Sequence, residues 1–315
     1  MSTPRVKLTD PHHIDHVKAF YANIAGVDLA TYPYFIRIYQ LFDACQREIF
    51  EEGRHGGPYE SVLDVGCGEG YHTFYAAHFA KHVTGLDVSP DALALAERRA
   101  ARERVNNVSF VRSDLTKPSL PDRAFDCVVA YGDVIGHIPD YDAALKQLSR
   151  LCRPGALLVL DYDNKFHPGL LWDAEERRVA RAERDRGHTH AWSFRDRQLD
   201  FNTFARQEMR DLLARHGFAL ERTYGFDFFS VLIPHPERYQ FSERMGLGER
   251  AVMALNKLDL AWRSHWPVNR WAYTQIGFAR KTGLHSCHHT SCRARSAYDG
   301  LVERLELLRR FDHLV

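Results

Sequence analysis

The sequence of 315 residues has no apolar run near the roughly 20 residues that a bilayer-spanning helix needs, so no membrane partner is expected. Net charge is almost absent too: 42 Lys+Arg stand against 41 Asp+Glu, leaving +1. A general polyanion binder carries a basic excess on one face, so no nucleic-acid partner is expected. Cysteine is scarce, with six residues, and Cys45, Cys67, Cys127 and Cys152 each stand alone in apolar or glycine-rich segments. That is the pattern of reduced, buried thiols rather than of a disulfide framework, and it suits a cytoplasmic protein. The stretch from Met1 to Asp15 has no apolar core and no small-residue cleavage site, so no secretory signal is expected.

What is present is an ordinary globular composition, 45% hydrophobic and 26% charged, enough for one large α/β domain with additions. Residues 1–58 read as helical, because Ile14, Val17, Phe20, Tyr21 and Ile24 recur at helical spacing, as do Phe35, Ile38, Tyr39, Phe42 and Ile49. After the polar break from Glu51 to Pro58, short apolar runs follow at Val62–Val65, Val83–Leu86, Val108–Val111, Phe125–Ala130 and Ala156–Leu160. Continuous runs of this length suit strands buried on both faces of a parallel sheet. Between them, Ser89-Pro90 opens a helical run to Arg104, and Asp140 can cap Tyr141–Leu151. Such alternation predicts a Rossmann-like, doubly wound α/β sheet. Further on, Phe204–Gly217 reads as a helix, Phe218–Val231 as strand-rich, Arg244–Trp262 as an amphipathic helix and Trp271–Arg280 as a last strand. The expected division is an N-terminal helical cap at 1–58, a core domain at 59–282 and a tail at 283–315.

The chemistry concentrates in Val62-Leu63-Asp64-Val65-Gly66-Cys67-Gly68-Glu69-Gly70. A buried strand ends there in a glycine turn, and a helix begins just after it. Glycines let the backbone approach a ligand, and the helix start offers unpaired N–H groups. Such a turn alone is weak evidence, since it also serves dinucleotides. Three acids narrow it. Asp64, before the turn, would repel a pyrophosphate but attract a cationic amino group, directly or through water. Asp87 ends the second strand, where a carboxylate can accept from ribose hydroxyls. Asp114, beside the apolar Leu115, can accept from an adenine amino group while Leu115 packs on the ring. An adenosine bearing a cationic amino acid, with no phosphate, satisfies all three.

From Tyr59 to Lys281 the order of these segments resembles the class I S-adenosylmethionine-dependent methyltransferases. The resemblance implies a mostly parallel, seven-stranded sheet and S-adenosyl-L-methionine as cofactor. By it, Gly66, Cys67, Gly68 and Gly70 line the methionine portion, Asp87 with Val88 holds the ribose, and Asp114 with Leu115 holds the adenine. The chain from Ala130 to His137, Tyr131 included, would run beside the sulfonium. Ala130–Asp140 and Leu158–Asn164 are further similar to the glycine N-methyltransferase type of small-molecule enzyme, where Asn stands at the position of Asp133. That departure puts glycine itself in doubt as acceptor. Phe201-Asn202-Thr203-Phe204, leading into a helix and Gly217-Phe218, is a common ending among small-molecule methyltransferases.

Methyl transfer needs mainly alignment of the nucleophile, with a base only where the acceptor arrives protonated. Asp133 and His137 are the candidate catalytic residues, at the end of the fourth strand where open α/β sheets bind ligands. Asp133 reads equally as an acceptor contact or a loop cap, and His137 first as a ring packed in that loop. His188 and His190 read as a solvated loop rather than the wall of an acceptor pocket. Tyr32, Tyr34, Tyr39 and Arg37 could close over the cofactor, or simply bury a helix face. The segment His285–Cys292 is dense in His and Cys but lacks a second ligand cluster, so no metal is expected. Beyond it, Leu301, Leu305, Leu308 and Phe311 mark an amphipathic helix able to dock on the domain or on a second subunit, which leaves a homodimer open. The expected activity is methyl transfer to an amine or hydroxyl of a small-molecule metabolite. A peptide or protein acceptor is the first rival, and a non-catalytic binding partner the second.

Overall fold

The computed structural model describes residues 5–6, 12–22, 33–52, 58–171, 174, 177–178, 181, 189–194, 197–232 and 247–283. Its centre is a seven-stranded sheet built from β2 (Tyr59–Val65), β3 (Ala80–Asp87), β4 (Val108–Arg112), β5 (Phe125–Ala130), β6 (Cys152–Asp163), β9 (Phe218–Phe226) and β10 (Thr274–Lys281). The spatial order is β4-β3-β2-β5-β6-β10-β9, parallel except for β10, which runs against both neighbours. This is the expected α/β fold.

The continuous apolar runs are explained by what each residue meets. Alternate residues face opposite sides of a sheet, so a strand covered on both faces needs apolar side chains at every position. Leu63, Val65, Val128, Ala130, Leu158 and Leu160 enter one core with Leu145, Leu148, Met209 and Leu213. Val62, Cys127, Val129, Leu157 and Val159 enter the other with Leu41, Phe42, Cys45 and Phe50. The first core is covered by α5 (Tyr141–Leu151) and α6 (Arg206–Arg215), the second by α2 (Pro33–Gln46), which continues as a π-helical turn over Arg47–Glu52. Cys45, Cys67, Cys127 and Cys152 are all buried free thiols.

Helix ends follow the capping residues. Ser89 accepts the amide of Ala92 at the start of α4 (Pro90–Glu103), and the Asp140 carboxylate accepts that of Ala143 at 2.9 Å to start α5. Gly217 closes the turn after α6 with φ +73°. The helical cap is pinned from outside its own core: both Glu48 oxygens accept the Tyr224 hydroxyl, at 2.5 and 2.6 Å, and Arg222 lies 2.7 Å from the same carboxylate.

One expectation is corrected. The segment containing His190 is no loop, because Thr189–Phe194 is a strand, β7, paired antiparallel with β8 (Arg197–Asn202). A two-residue strand, β1 (Arg5–Val6), joins β8 to complete a three-stranded sheet. The cause lies in β8, where Leu199, Asp200 and Phe201 are buried in succession, so that the partner strand β7 pairs along an anchored edge. His188, most of the charge run from Phe166 to Arg186, and the tail with Cys287, Cys292 and the Leu301–Phe311 segment lie outside the described residues.

Asp140→Ala should lower the unfolding free energy by about 1 kcal/mol, the usual cost of losing an N-cap. Urea unfolding, with unchanged circular dichroism in the native baseline, checks this.

Candidate active site

In chain order, β2, β3 and β4 step outward on one side, and the chain then returns to place β5 against the free side of β2. The loops leaving β2 and β5 therefore diverge at their C-terminal ends and leave a crevice there, the usual binding position in open α/β sheets.

The β2 loop is the glycine turn. Gly66, Gly68 and Gly70 have φ of +69°, +51° and +85°, a region that side-chain-bearing residues enter at a cost. Leu86 O accepts the amides of Gly66 and Cys67, and Cys67 O accepts that of Gly70, which starts α3 (Tyr71–Ala77). A Cβ at Gly70 would strike Phe74 at 2.7 Å, whereas one at Gly68 would meet no protein atom within 4 Å. Gly70 is thus needed for packing, while Gly68 faces open space. The Cys67 thiol is buried beside Gly85.

Asp87 ends β3 under this turn. Its carboxylate accepts the amides of Gly68 at 2.9 Å and Ser89 at 2.8 Å, and burial raises its pKa. Val88 beside it is half-buried. One strand further out, Asp114 accepts both the amide and the hydroxyl of Thr116, at 2.8 and 2.9 Å, and Leu115 is buried. Ser113 donates its amide to Asp87 O, so the ends of β3 and β4 are joined. Asp64 lies lower, 1% exposed, and accepts the Thr73 hydroxyl at 2.5 Å. Its pKa is pushed up to about 7 by burial first, and by the Asp87 charge, against the Thr73 hydrogen bond.

The β5 loop faces the turn directly: a Cβ on Gly66 would lie 2.5 Å from Val134 Cγ2. Three distant segments hold this loop. Asn202 donates its amide N–H to Gly136 O at 2.8 Å, and its side chain reaches Gly136 O and Ile138 O at 3.1 and 3.3 Å. His13, from helix α1 (His13–Ala22), places Nε2 3.1 Å from His137 O. Asp161, near the C-terminal end of β6, accepts the Asp133 amide at 3.0 Å.

Asp133 has φ +53° and a carboxyl packed against Gly136. Burial, then the charges of Asp163 and Asp161, raise its pKa well above the carboxylate range. The His137 ring is buried 5.5 Å from Phe201, and burial lowers its pKa to about 3, so it is neutral at pH 7. Tyr131 stacks on Phe42 of α2 at 4.6 Å and approaches His72 of α3 at 4.8 Å. Its hydroxyl and His72 Nδ1 are buried without a hydrogen-bond partner. Tyr39 packs on Tyr71, whose hydroxyl donates to Asp43 at 2.9 Å. The helical cap therefore covers the crevice on this side, with Phe42 more central than the aromatic residues singled out in the sequence; Tyr32 and the side chains of Tyr34 and Arg37 lie outside the described residues.

Thr73, Asn202, His72 and Asp161 were not expected at the site. Asp161 had a readable signal, an acid closing the apolar run Leu157–Leu160 as Asp64 and Asp87 close theirs. Among the described residues no group of His, Cys, Asp or Glu is arranged to hold a metal ion, and no helix is long and apolar enough to cross a membrane.

Residues 62–155 match the family described as a methyltransferase domain. Over 115 residues the chain is 37% identical to phosphoethanolamine N-methyltransferase 1 of Arabidopsis thaliana, covering 36% of this chain and 23% of that protein. Over 179 residues it is 30% identical to a probable S-adenosylmethionine-dependent methyltransferase of Mycolicibacterium smegmatis, covering 56% and 59% of the two chains. The chain thus spans under two thirds of the length of either relative. In fold it is similar to the 1,6-didemethyltoxoflavin-N1-methyltransferase of Burkholderia thailandensis, with a TM-score of 0.51 at 17% identity over 88% of this chain and 93% of that one.

Asp64 supplies a pH test. Its folded pKa lies above its unfolded value, so its contribution to stability is full below about pH 4 and is lost as pH rises through about 7. Wild type should therefore lose more unfolding free energy between pH 5 and pH 7 than Asp64→Asn does, by on the order of 1–2 kcal/mol. Urea unfolding at both pH values reads the difference, and identical slopes would remove Asp64 as a buried, protonated group.

Proposed function

We propose that this chain, which carries a class I S-adenosylmethionine-dependent methyltransferase domain, binds S-adenosyl-L-methionine in the crevice between β2 and β5. It then transfers the methyl group to an amine or hydroxyl of a small-molecule metabolite. The observation that carries this reading is the meeting of the glycine turn with the loop from Tyr131 to His137, through Gly66 and Val134. A cofactor on the turn would have its reactive end beside that loop.

The residues present suit the cofactor. Gly68 opens onto free space, and the buried Tyr131 hydroxyl and His72 Nδ1 lack protein partners, a state that bound ligand or water relieves. In this reading Gly66, Cys67, Gly68 and Gly70 border the methionine portion, with Asp64 beneath them. Asp87 and Val88 hold the ribose, Asp114 and Leu115 the adenine, and Tyr131 lies toward the sulfonium. Bound there, the cofactor supplies an electrophilic methyl group on a good leaving group.

The chain's own task is then to exclude water and align the acceptor. Cap residues Tyr39 and Phe42 cover the crevice. Asp133 orients the acceptor without serving as an obligate base. His137, neutral, shapes the loop. The plant relative is named for N-methylation, which favours an amine among the acceptors. Near-neutral charge favours a free cytoplasmic metabolite over nucleic acid or membrane. The division into cap (1–58), methyltransferase domain (59–282) and tail (283–315) belongs to the same proposal.

Wild type should bind S-adenosylhomocysteine with micromolar affinity or tighter by calorimetry. In a folded Asp87→Ala protein that binding should weaken by about 1–3 kcal/mol, the scale for hydrogen bonds to a charged acceptor. Unchanged affinity would remove Asp87 from the ribose.

Transfer of labelled methyl from S-adenosylmethionine to a panel of amines and hydroxyl metabolites identifies the acceptor class. With an acceptor so found, Asp133→Ala should lower kcat/KM by about 10- to 100-fold and leave S-adenosylhomocysteine affinity nearly unchanged. Parallel losses of turnover, affinity and melting temperature would make Asp133 a loop cap only.

A further inference from the structure

We propose that Asp161 is the positioning residue for the acceptor loop: its carboxylate receives the backbone N–H groups at Gly132 and Asp133 and so aims the Asp133 carboxyl. The aim toward an acceptor rests on the methyltransferase reading; the anchoring does not.

Gly132 and Asp133 are consecutive residues with φ of +93° and +53°. Glycine adopts that region freely, but Asp does so only against a penalty that something must offset. Successive backbone N–H groups in such a turn point to one side and form a concavity that suits an anion. Asp161 fills that place. It is 4% exposed, accepts the Asp133 amide at 3.0 Å, and has the Gly132 N–H near enough to favour its charged form.

The strand beneath makes the anchor rigid. Asp161 sits opposite Ile276 in the β6–β10 ladder, with a fully buried residue on either side of it in that ladder. The loop's other restraints act further along, on the carbonyls of Gly136, His137 and Ile138. Asp161 acts on the amide side of the turn, while the Asp133 carbonyl accepts the His137 amide at 3.2 Å from within the loop.

A carboxylate accepts these N–H groups more strongly than a neutral carboxyl does. The titratable groups around Asp161 are Asp133 in the loop, Asp163 in the same strand, Cys45 from α2 and Tyr131. None of these brings a positive charge. Burial, then Asp163, push the Asp161 pKa up to about 7. The turn is therefore held firmly above that pH and loosened below it, and methyl transfer rises with pH across the same interval.

The test uses the ¹⁵N-labelled full chain, following the amide resonances of Gly132 and Asp133 from pH 5 to pH 9. Both should titrate with a shared midpoint near 7, because an amide donating to a carboxyl reports its ionisation. In Asp161→Asn both should shift upfield and lose that titration. Asp163→Asn should lower the midpoint and keep the titration, and this variant decides the matter if Asp161→Asn does not fold. Amides that do not titrate in the wild type, or that titrate unchanged in Asp161→Asn, overturn the proposal. Calorimetry with S-adenosylhomocysteine on the same sample separates the two ideas. Absent binding sinks the methyltransferase reading, while the amide titration judges Asp161 by itself.

Discussion

The structure depends on one topological constraint: β5 must return to the free side of β2. Parallel strands on both sides of β2 are satisfied only if the connections leave in opposite directions, and the loops at their C-terminal ends are then pulled apart. Everything assigned to the site follows from that parting. The glycine turn, the acids ending β3 and β4, and the loop ending β5 are brought to one edge by strand order rather than by any attraction among them. Where the two loops touch, the contact is as small as chemistry allows, a glycine under a valine methyl.

Strand ends are also where this chain stores its buried acids. Asp64, Asp87 and Asp161 each close an apolar run, and each is answered by neutral donors, namely a threonine hydroxyl or backbone amides. Neutral donors stabilise a carboxylate less than a cation would, so burial prevails and the pKa values rise. An edge lined this way carries little fixed charge.

The central sheet was legible because strands covered on both faces announce themselves as unbroken apolar runs, and because Ser89, Asp140 and Gly217 punctuate the helices. The small sheet of β1, β7 and β8 was not. In Thr189–Phe194 the alternation is carried by Ala, Ser and His as much as by Trp and Phe, which reads as easily as a loop. The glycine turn and the acids after it were legible as a linear pattern. The partners Thr73 and Asn202 were not, since nothing local marks a residue whose hydrogen bond is made 9 or 66 positions away; of Asp161 the acid closing its apolar run was readable, but not the amide 28 positions away that it holds. The family match covers the turn and its strands at residues 62–155, which is the same part that sequence reasoning reached most directly.

The two walls of the crevice differ in how far along the chain their restraints reach. The turn is closed by Leu86 and by Asp87, 19 residues from Gly68, whereas the opposite loop is tied to His13 and Asn202 across separations of 124 and 66. Short closures cost less chain entropy and form early; long ones wait for the rest of the domain. The wall made by the glycine turn is therefore closed within one stretch of chain. The loop from Tyr131 to His137 is a cooperative one, since its restraints come from α1 and β8 and need the rest of the domain in place. In evolutionary terms the same division separates a module that can be kept from one that can be rebuilt: substitutions in α1 or in β8 can reshape the loop from Tyr131 to His137 without touching a hydrogen bond of the glycine turn.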